Sequence, residues 1–271
     1  MIDLDGYFRR IGYGGGTAPD HDTLAAIHQL HPQAIAFENL DPLLGVPVRL
    51  DAASIENKLV RSARGGYCYE HNLLLMRVLR ALGFRVRGLA ARVLLRAPEG
   101  VIWPRGHMLL GVELGGALHI ADVGFGGSTL TAPLSLDRDG EQPTPHGPYR
   151  LVRTGDEFVL EAEIGQSWQS VYRFDLQEQF QVDYEMANWY QCTHPNSRFT
   201  TCLMVARTAP GRRYGLRNRE LSVHHVDGRT ERRTLCNAAE LRDTLSGTFG
   251  LTLADAAGLD ALLTRFTAVA A

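Results

Sequence analysis

The first third of the chain carries its apolar residues at helical spacing. Asp20 opens a helix with apolar positions three or four residues apart, and Pro32 is expected to interrupt that helix. Asp51 is a suitable cap for a second helix over residues 52–60. Both patterns predict helices that bury one face, so this part of the chain reads as a helical unit.

The strongest helical pattern lies between Cys68 and Leu82. Its face is largely apolar, and Gly83 stands where a left-handed C-terminal cap belongs. A helix with so much apolar surface is expected to be buried. We therefore predict a helical first domain over residues 1–84.

From residue 85 the pattern changes to short runs rich in valine and leucine. Gly115-Gly116 and Gly155-Asp156 are two-residue links between such runs, which is typical of β-hairpins. The predicted strands cover residues 85–96, 107–114, 117–123, 149–154, 157–163 and 168–174. The section from 85 to 200 is therefore predicted to be an antiparallel barrel or sandwich.

The last part of the chain mixes both patterns. A short helix over 183–192 precedes a strand-like run at 200–207, strands are expected at 221–226 and 229–235, and helices at 237–250 and 255–269. Asp227-Gly228 is a strong hairpin turn, and Asn237 with Glu240 resembles a capping box. This order predicts an α+β protein with a third domain over residues 201–271.

Composition narrows the functional classes. Hydrophobic residues make up 45% of the 271 residues and the formal net charge is −2, which is typical of a folded globular protein. A near-neutral chain argues against nucleic acid as a partner. The sequence lacks an apolar run of membrane-spanning length and a secretory signal, so we expect a cytoplasmic location and no membrane association. His21, His28 and His31 lack other ligands at metal spacing, so they read as surface histidines and no metal is expected.

Cys68 is the best candidate nucleophile. Two glycines precede it, and the N–H groups and dipole at a helix N-terminus favour a thiolate there. The alternative is a buried, inert thiol. That interpretation is given to the remaining cysteines, Cys192, Cys202 and Cys236, which are too sparse for a disulfide scaffold.

A base and its orienting acceptor are predicted on the first hairpin. If Leu114 pairs with Ala117, then His107 and Asp122 share one face as diagonal neighbours, with Cα atoms about 7–8 Å apart. Such a pair could be a structural hydrogen bond in a barrel wall or the base of a catalytic group. The preceding Cys68 favours the catalytic interpretation.

Several segments resemble the arylamine N-acetyltransferase family, in the same order. They are YFRRIGY (7–13), IAFENLD (35–41), RGGYCYEHN (64–72), HMLLGV (107–112), DVGFG (122–126) and a C-terminal FGL (249–251). The resemblance covers most of the chain, from about residue 7 to residue 250. Position 36 carries alanine where the family usually has proline.

The resemblance implies a Cys68–His107–Asp122 triad and ping-pong acetyl transfer. It implies acetyl-CoA as donor and aromatic amines or hydrazines as acceptors. It also implies an N-terminal helical bundle, a central antiparallel β-barrel and a C-terminal α/β lid, with a cysteine-protease-like core. Arg64 is expected to pair with Glu38, although phosphate binding is an alternative.

Substrate contacts are expected near the triad. Candidates for an apolar acceptor slot are Phe125, Phe37, Phe199 and Val93. Candidates for backbone contact with a CoA pyrophosphate are Gly124, Gly126 and Gly127. The alternative for the glycines is a loop without a ligand. One or two members of an arginine-rich segment could meet CoA phosphates: Arg207, Arg212, Arg213, Arg217, Arg219, Arg229, Arg232 and Arg233.

Two rival functions stay open at this point. Another cysteine enzyme with the chain order Cys, His, Asp, such as a papain-like protease or a transglutaminase, would use the same three residue types. A binding module on a decayed enzyme scaffold is the second rival. The sequence leaves a monomer and a homodimer equally open.

Overall fold

The computed structural model describes residues 2–98, 100–253 and 258–268. Its helices are α1 (Leu4–Ile11), α2 (His21–Ala34), α3 (Leu40–Leu43), α4 (Ala52–Glu56), α5 (Cys68–Ala81), α6 (Gln181–Thr193), α7 (Arg198–Thr201), α8 (Ala238–Gly247) and α9 (Leu259–Thr267). Its strands are β1 (Phe37–Glu38), β2 (Arg85–Val93), β3 (His107–Leu114), β4 (Ala117–Ala121), β5 (Leu134–Ser135), β6 (Glu141–Gln142), β7 (Tyr149–Thr154), β8 (Glu157–Ile164), β9 (Ser167–Phe174), β10 (Met204–Ala209), β11 (Arg212–Arg217), β12 (Glu220–His225) and β13 (Thr230–Thr234).

The N-terminal helices begin at the predicted caps. Asp20 and Asp51 accept hydrogen bonds from backbone N–H groups of the first turns of α2 and α4. The predicted interruption at Pro32 is wrong, because α2 continues to Ala34. Proline removes one helical hydrogen bond near the end of α2, and the Ile35 N–H still bonds to the His31 carbonyl and closes the last turn.

Helix α5 is the central element of the first core. It begins at Cys68 and is buried along most of its length, as the sequence predicts. At its start, the Glu70 carboxylate accepts the Tyr67 N–H at 3.0 Å. At its other end, Gly83 has φ +89°, the left-handed conformation that glycine adopts without a steric penalty.

The middle section forms a nearly closed antiparallel barrel. Its eight strands follow the order β5-β4-β3-β2-β9-β8-β7-β6, which confirms the predicted barrel. The edge strands β5 and β6 are joined through one side chain. The Gln142 amide accepts the Ser135 N–H at 2.9 Å and donates to the Ser135 carbonyl at 2.8 Å. A side-chain amide thus replaces a ladder pair where the barrel closes.

The hairpin of β3 and β4 has the predicted register. Leu114 pairs with Ala117, and Leu110 pairs with Ala121. Gly115 and Gly116 have φ values of 60° and 83°, as a two-residue hairpin turn requires. Strand β4 ends at Ala121, so Asp122 lies just past the last ladder pair.

The C-terminal sheet includes a strand from the N-terminal part of the chain. Its order is β1-β10-β11-β12-β13, and Phe37 in β1 pairs with Ala206 in β10. The predicted strand at 200–207 starts too early, because residues 198–201 form α7. Strand β11 was not predicted, since arginines at 212, 213 and 217 hide its apolar pattern. Of the predicted final helix, residues 255–257 and 269 lie outside the described residues.

Within the part of the chain that the structure describes, buried apolar side chains form three clusters, and these do not strictly follow the chain order. Helix α6 lies in the section predicted as the barrel domain (85–200). Its Tyr184 and Cys192 nevertheless belong to the core around α5. The domain limits after residues 84 and 200 therefore stay a prediction. Within the described ranges, no helix has both the length and the apolar character needed to cross a bilayer.

Candidate active site

Cys68 is the first residue of α5 and is buried. Its Sγ lies 3.8 Å from the carbonyl oxygen of Gly106, the residue before β3. The preceding turn packs tightly on the segment before β1, because a Cβ on Gly65 would lie 2.1 Å from the Ala36 carbonyl oxygen. Glycine is therefore required there to bring the start of α5 against this segment.

His107 and Asp122 form a buried hydrogen bond. The His107 Nε2 and the Asp122 Oδ2 are 2.7 Å apart, and both side chains are at most 4% exposed. Because Nε2 binds the carboxylate, Nδ1 is the ring nitrogen left to face another partner, and the Cys68 side chain is near enough to raise the pKa of His107. The rings of Phe125 and Tyr172 pack on the imidazole, with centroids 4.9 and 5.1 Å from its own.

The surroundings of His107 favour its charged form. Burial by itself lowers the pKa of His107, but the Asp122 carboxylate and the Cys68 side chain outweigh it and raise that pKa to about 10. Burial by itself raises the pKa of Asp122, and the His107 ring and the hydrogen bonds to the carboxylate bring it below its usual value. The pair is thus imidazolium and carboxylate at neutral pH, and an imidazolium stabilises negative charge on a neighbouring sulfur.

Asn72 connects α5 to the hairpin, as its position one turn after Cys68 suggested. Its Nδ2 donates to Asp122 Oδ1 at 3.0 Å and to the Met108 carbonyl at 2.7 Å. Its Oδ1 accepts the Val123 N–H at 3.2 Å. Gly124 N–H also donates to Asp122 Oδ1, at 2.9 Å. The Asp122 Oδ1 atom is therefore held by two donors, while Oδ2 binds His107.

A charge network lies beneath the turn that precedes Cys68. Arg64 donates to Glu38 through Nε at 3.0 Å and Nη2 at 2.7 Å, which confirms the expected ion pair. Lys58 Nζ is 2.7 Å from both Asp41 and Glu70. Burial by itself lowers the pKa of Lys58, and its carboxylate neighbours raise it above the usual value. Glu70 thus receives both this ammonium and the Tyr67 N–H at the start of α5.

Comparison with known proteins assigns the family. The N-acetyltransferase family model matches residues 20–257. An arylamine N-acetyltransferase of Mycobacterium tuberculosis is 47% identical over 268 residues, covering 97% of this chain and 94% of the relative. The chain belongs to the arylamine N-acetyltransferase family.

Further relatives of this arylamine N-acetyltransferase family extend the likeness to structure and activity. The structure of the Mycobacterium marinum enzyme in complex with CoA has a TM-score of 0.93 and 44% identity, covering 97% of this chain and 99% of that one. A Salmonella typhimurium relative, named arylamine N-acetyltransferase / N-hydroxyarylamine O-acetyltransferase, is 40% identical over 253 residues, covering 93% of this chain and 90% of its own.

The expected apolar contact residues have different neighbours. Phe125 packs edge-on against His107. Phe37 and Phe199 lie 6.2 Å apart by ring centroids, and both pack on the core that contains Cys68. Val93 pairs with Tyr172 near the end of β2. The side chains of Phe37, Phe125 and Phe199 are partly exposed, so they can line a slot for an aromatic substrate.

The three glycines after Asp122 have different surroundings. Gly124 is buried, and a Cβ there would lie 2.9 Å from the Cys68 Cα. Gly126 has φ +79°, and a Cβ there would lie 3.5 Å from the Phe37 ring. Gly127 is exposed and has no atom within 4 Å of its Cβ position. Of the three, Gly127 alone presents open space to a ligand.

Two arginines of the C-terminal segment hold backbone groups of other parts of the chain. Arg207 donates to the Gln33 carbonyl at 2.6 Å, and Arg213 donates to the Thr129 carbonyl at 2.8 Å. Their guanidinium groups therefore fix the C-terminal sheet against α2 and the barrel.

The interpretation of two histidines as surface residues is wrong. His28 and His31 are fully buried in α2, whereas the side chain of His21 is 63% exposed. The missed signal is the helical spacing. Residues 24, 27, 28 and 31 lie on one face of an amphipathic helix, which is the face that packs in the core. Across the described ranges, no cluster of three or more His, Cys, Asp or Glu could hold a metal ion.

Proposed function

We propose that Cys68 carries an acetyl group from acetyl-CoA to the nitrogen of aromatic amines and arylhydrazines. The imidazolium of His107, which Asp122 keeps charged near Cys68, carries this proposal. Relatives named for the same activity, and one described in complex with CoA, support it.

In the first half-reaction, the Cys68 sulfur attacks the thioester carbonyl of acetyl-CoA. The C–S bond to CoA breaks, and His107 gives its proton to the departing CoA sulfur. Acetyl-cysteine, neutral imidazole and free CoA result. Because one thioester replaces another, this step is close to balanced in free energy and is reversible.

In the second half-reaction, the amine nitrogen attacks the acetyl-cysteine. His107 takes one proton from that nitrogen, and the Cys68 sulfur leaves as a thiolate beside the restored imidazolium. Asp122 holds the ring through Nε2 and stabilises its charge, which is the role of the aspartate in other catalytic triads. Amide formation makes this step favourable, so the kinetics are ping-pong.

Substrate contacts follow from the surroundings of the pair. Phe125, Phe37, Phe199 and Val93 form the apolar slot for the aromatic acceptor. The exposed backbone of Gly127 approaches the CoA pyrophosphate, while Gly124 and Gly126 act through packing. The developing oxyanion is bound by N–H groups of the first turn of α5, which lack helical acceptors.

The proposal extends to compartment, assembly and domain limits. Cys68, Cys192, Cys202 and Cys236 are all free thiols, which suits a reducing cytoplasm. The chain acts as a monomer or a homodimer, and light scattering of the purified protein distinguishes the two. The nucleophile lies in a helical domain (1–84), the histidine and aspartate in a barrel (85–200), and the lid covers 201–271.

Mass spectrometry of the protein with acetyl-CoA and no amine tests the function. The expected result is a gain of about 42 Da, the mass that one acetyl group adds, located on Cys68 and lost when an arylamine is added. Cys68→Ser should abolish the gain, whereas Cys236→Ser, which changes an exposed thiol, should keep it. A folded wild-type protein without the adduct would favour a protease, a transglutaminase or a binding module.

A further inference from the structure

The peptide group of Asp122 is bound by a histidine from a distant helix. His28 in α2 is fully buried, and its Nε2 lies 3.0 Å from the Asp122 backbone nitrogen. A peptide N–H can only donate, so His28 Nε2 is the acceptor and carries no proton. The ring is therefore neutral, with its hydrogen on Nδ1, which has no hydrogen-bond partner among the described residues.

The position of Asp122 explains why this contact matters. Strand β4 ends at Ala121, so the ladder with β3 does not hold the next peptide group. Instead, His28 accepts the Asp122 N–H, and the Thr129 hydroxyl donates to the Asp122 carbonyl oxygen at 3.0 Å. The backbone of Asp122 is thus held on both sides by side chains from outside the hairpin.

The direction of this hydrogen bond requires a neutral ring. Burial lowers the pKa of His28 to about 4, with a smaller opposing effect from the Asp122 carboxylate. At neutral pH the imidazole accordingly keeps the lone pair that the peptide N–H needs.

We propose that His28 is a positioning residue, which sets the place of the Asp122 carboxylate by holding its peptide N–H. The inference rests on the proposed role of Asp122. It links α2, which contributes no group to the reaction, to the orientation of His107 beside Cys68. A carboxylate displaced by a fraction of an ångström holds the imidazolium less well.

Two substitutions at residue 28 separate positioning from stability. His28→Leu has a similar side-chain volume but lacks the acceptor, whereas the amide oxygen of His28→Gln can accept the same N–H. His28→Leu should lower kcat by about 10- to 100-fold, with the KM for acetyl-CoA within about twofold, and should slow Cys68 alkylation at pH 7. His28→Gln should restore most of both.

His31→Leu is the matched control. His31 is equally buried in the same helix, but it bonds to Tyr7 and His71 rather than to Asp122. If His31→Leu slows alkylation and kcat as much as His28→Leu, the effect is one of stability and the proposal is overturned. An unchanged alkylation profile in folded His28→Leu overturns it as well.

A measurement on the wild-type protein covers the case in which His28→Leu does not fold. The N–H···N bond should give a scalar coupling between the Asp122 amide nitrogen and His28 Nε2 in NMR, and its absence overturns the inference. Asp122→Asn separates the two proposals. Normal activity and alkylation in that variant would refute the proposed function, whereas a defect there without one in His28→Leu refutes only the role of His28.

Discussion

Gly124 lies directly against the backbone of Cys68. A Cβ on residue 124 would be 2.9 Å from the Cys68 Cα, closer than real Cβ atoms approach, and 3.1 Å from the Cys68 carbonyl oxygen, which is a tight contact. Both contacts involve the first turn of a buried helix, which has little room to move. The glycine-rich loop therefore brings the nucleophile close to the residues that follow Asp122.

Gly124→Ala should destabilise the protein by about 1–3 kcal/mol, the usual cost of overpacking, and should lower the acetylation rate of Cys68. Gly127→Ala is the matched control for stability, because its Cβ meets open space in the same loop. Thermal unfolding measures the first effect and single-turnover acetylation the second. An alanine at 124 with the wild-type Tm and acetylation rate would contradict the close contact.

Lys58 is the only lysine in the chain, and it neutralises two carboxylates below the active-site turn. Lys58→Met would leave the buried Glu70 without its ammonium partner, whereas Asp41 keeps the Arg64 guanidinium at 2.8 Å. Removing one partner of a buried ion pair costs about 3–5 kcal/mol. We expect a large drop in the urea midpoint and slower acetylation, because Glu70 also caps α5.

Arg61→Met provides the comparison for that network. Arg61 pairs with Glu56, but its side chain is 60% exposed, so the loss should stay within about 1 kcal/mol. Equal effects of the two substitutions on the urea midpoint would show that the network around Lys58 is no stronger than a surface pair.

Local signals predicted the hairpin and the nucleophile helix. The Gly115-Gly116 link and the alternation around it determine the register, which places His107 and Asp122 on one face. The apolar face, the preceding glycines and Gly83 define α5 in the same way. In each case, the structure depends on residues close together in sequence.

Contacts between distant segments had no such signal. The pairing of Phe37 with Ala206 joins segments far apart in the chain, and neither segment's sequence indicates the other. The prediction placed His28 on the surface because histidine is a polar residue, although its helical position is that of a core residue. Arginine side chains mask β11, since their apolar stems pack while their charged ends reach solvent.

Three buried histidines should make the protein sensitive to acid. The His71 Nε2 donates to the Ala36 carbonyl, so its Nδ1 accepts from His31, whose other nitrogen accepts from Tyr7. Burial lowers the pKa of His28 and His71 to about 4 and that of His31 well below its usual value. Each is therefore neutral in the folded protein at a pH where the unfolded chain binds a proton.

Stability from these histidines should be complete above pH 6.5 and should fall as the pH drops toward 4. Each contributes up to about 1.4 kcal/mol per pH unit to the slope of the unfolding free energy. His28→Gln, which cannot titrate, should show a slope shallower by about one proton in urea titrations between pH 6.5 and 4.5. Identical slopes would mean that His28 titrates normally in the folded state.

The raised pKa of His107 predicts the pH dependence of Cys68 reactivity. With that pKa at about 10, the imidazolium persists throughout the range from pH 7 to pH 9, so its support for Cys68 alkylation by iodoacetamide should persist there as well. Asp122→Asn removes the charge that raises the pKa of His107 and should leave the ring largely neutral at pH 8. Alkylation at pH 7 should then slow on the order of tenfold, since the sulfur loses the cationic neighbour that stabilises its negative charge.

Asp156→Asn controls for the loss of a carboxylate, because Asp156 lies exposed in the turn between β7 and β8. It should retain the wild-type alkylation rate and pH profile, with the label located on Cys68 by peptide mass mapping. If Asp122→Asn alkylates at the wild-type rate and with the same pH profile, the carboxylate does not keep His107 charged. The sulfur would then need another source of activation, and the acetyl-transfer mechanism through this pair would have to be abandoned.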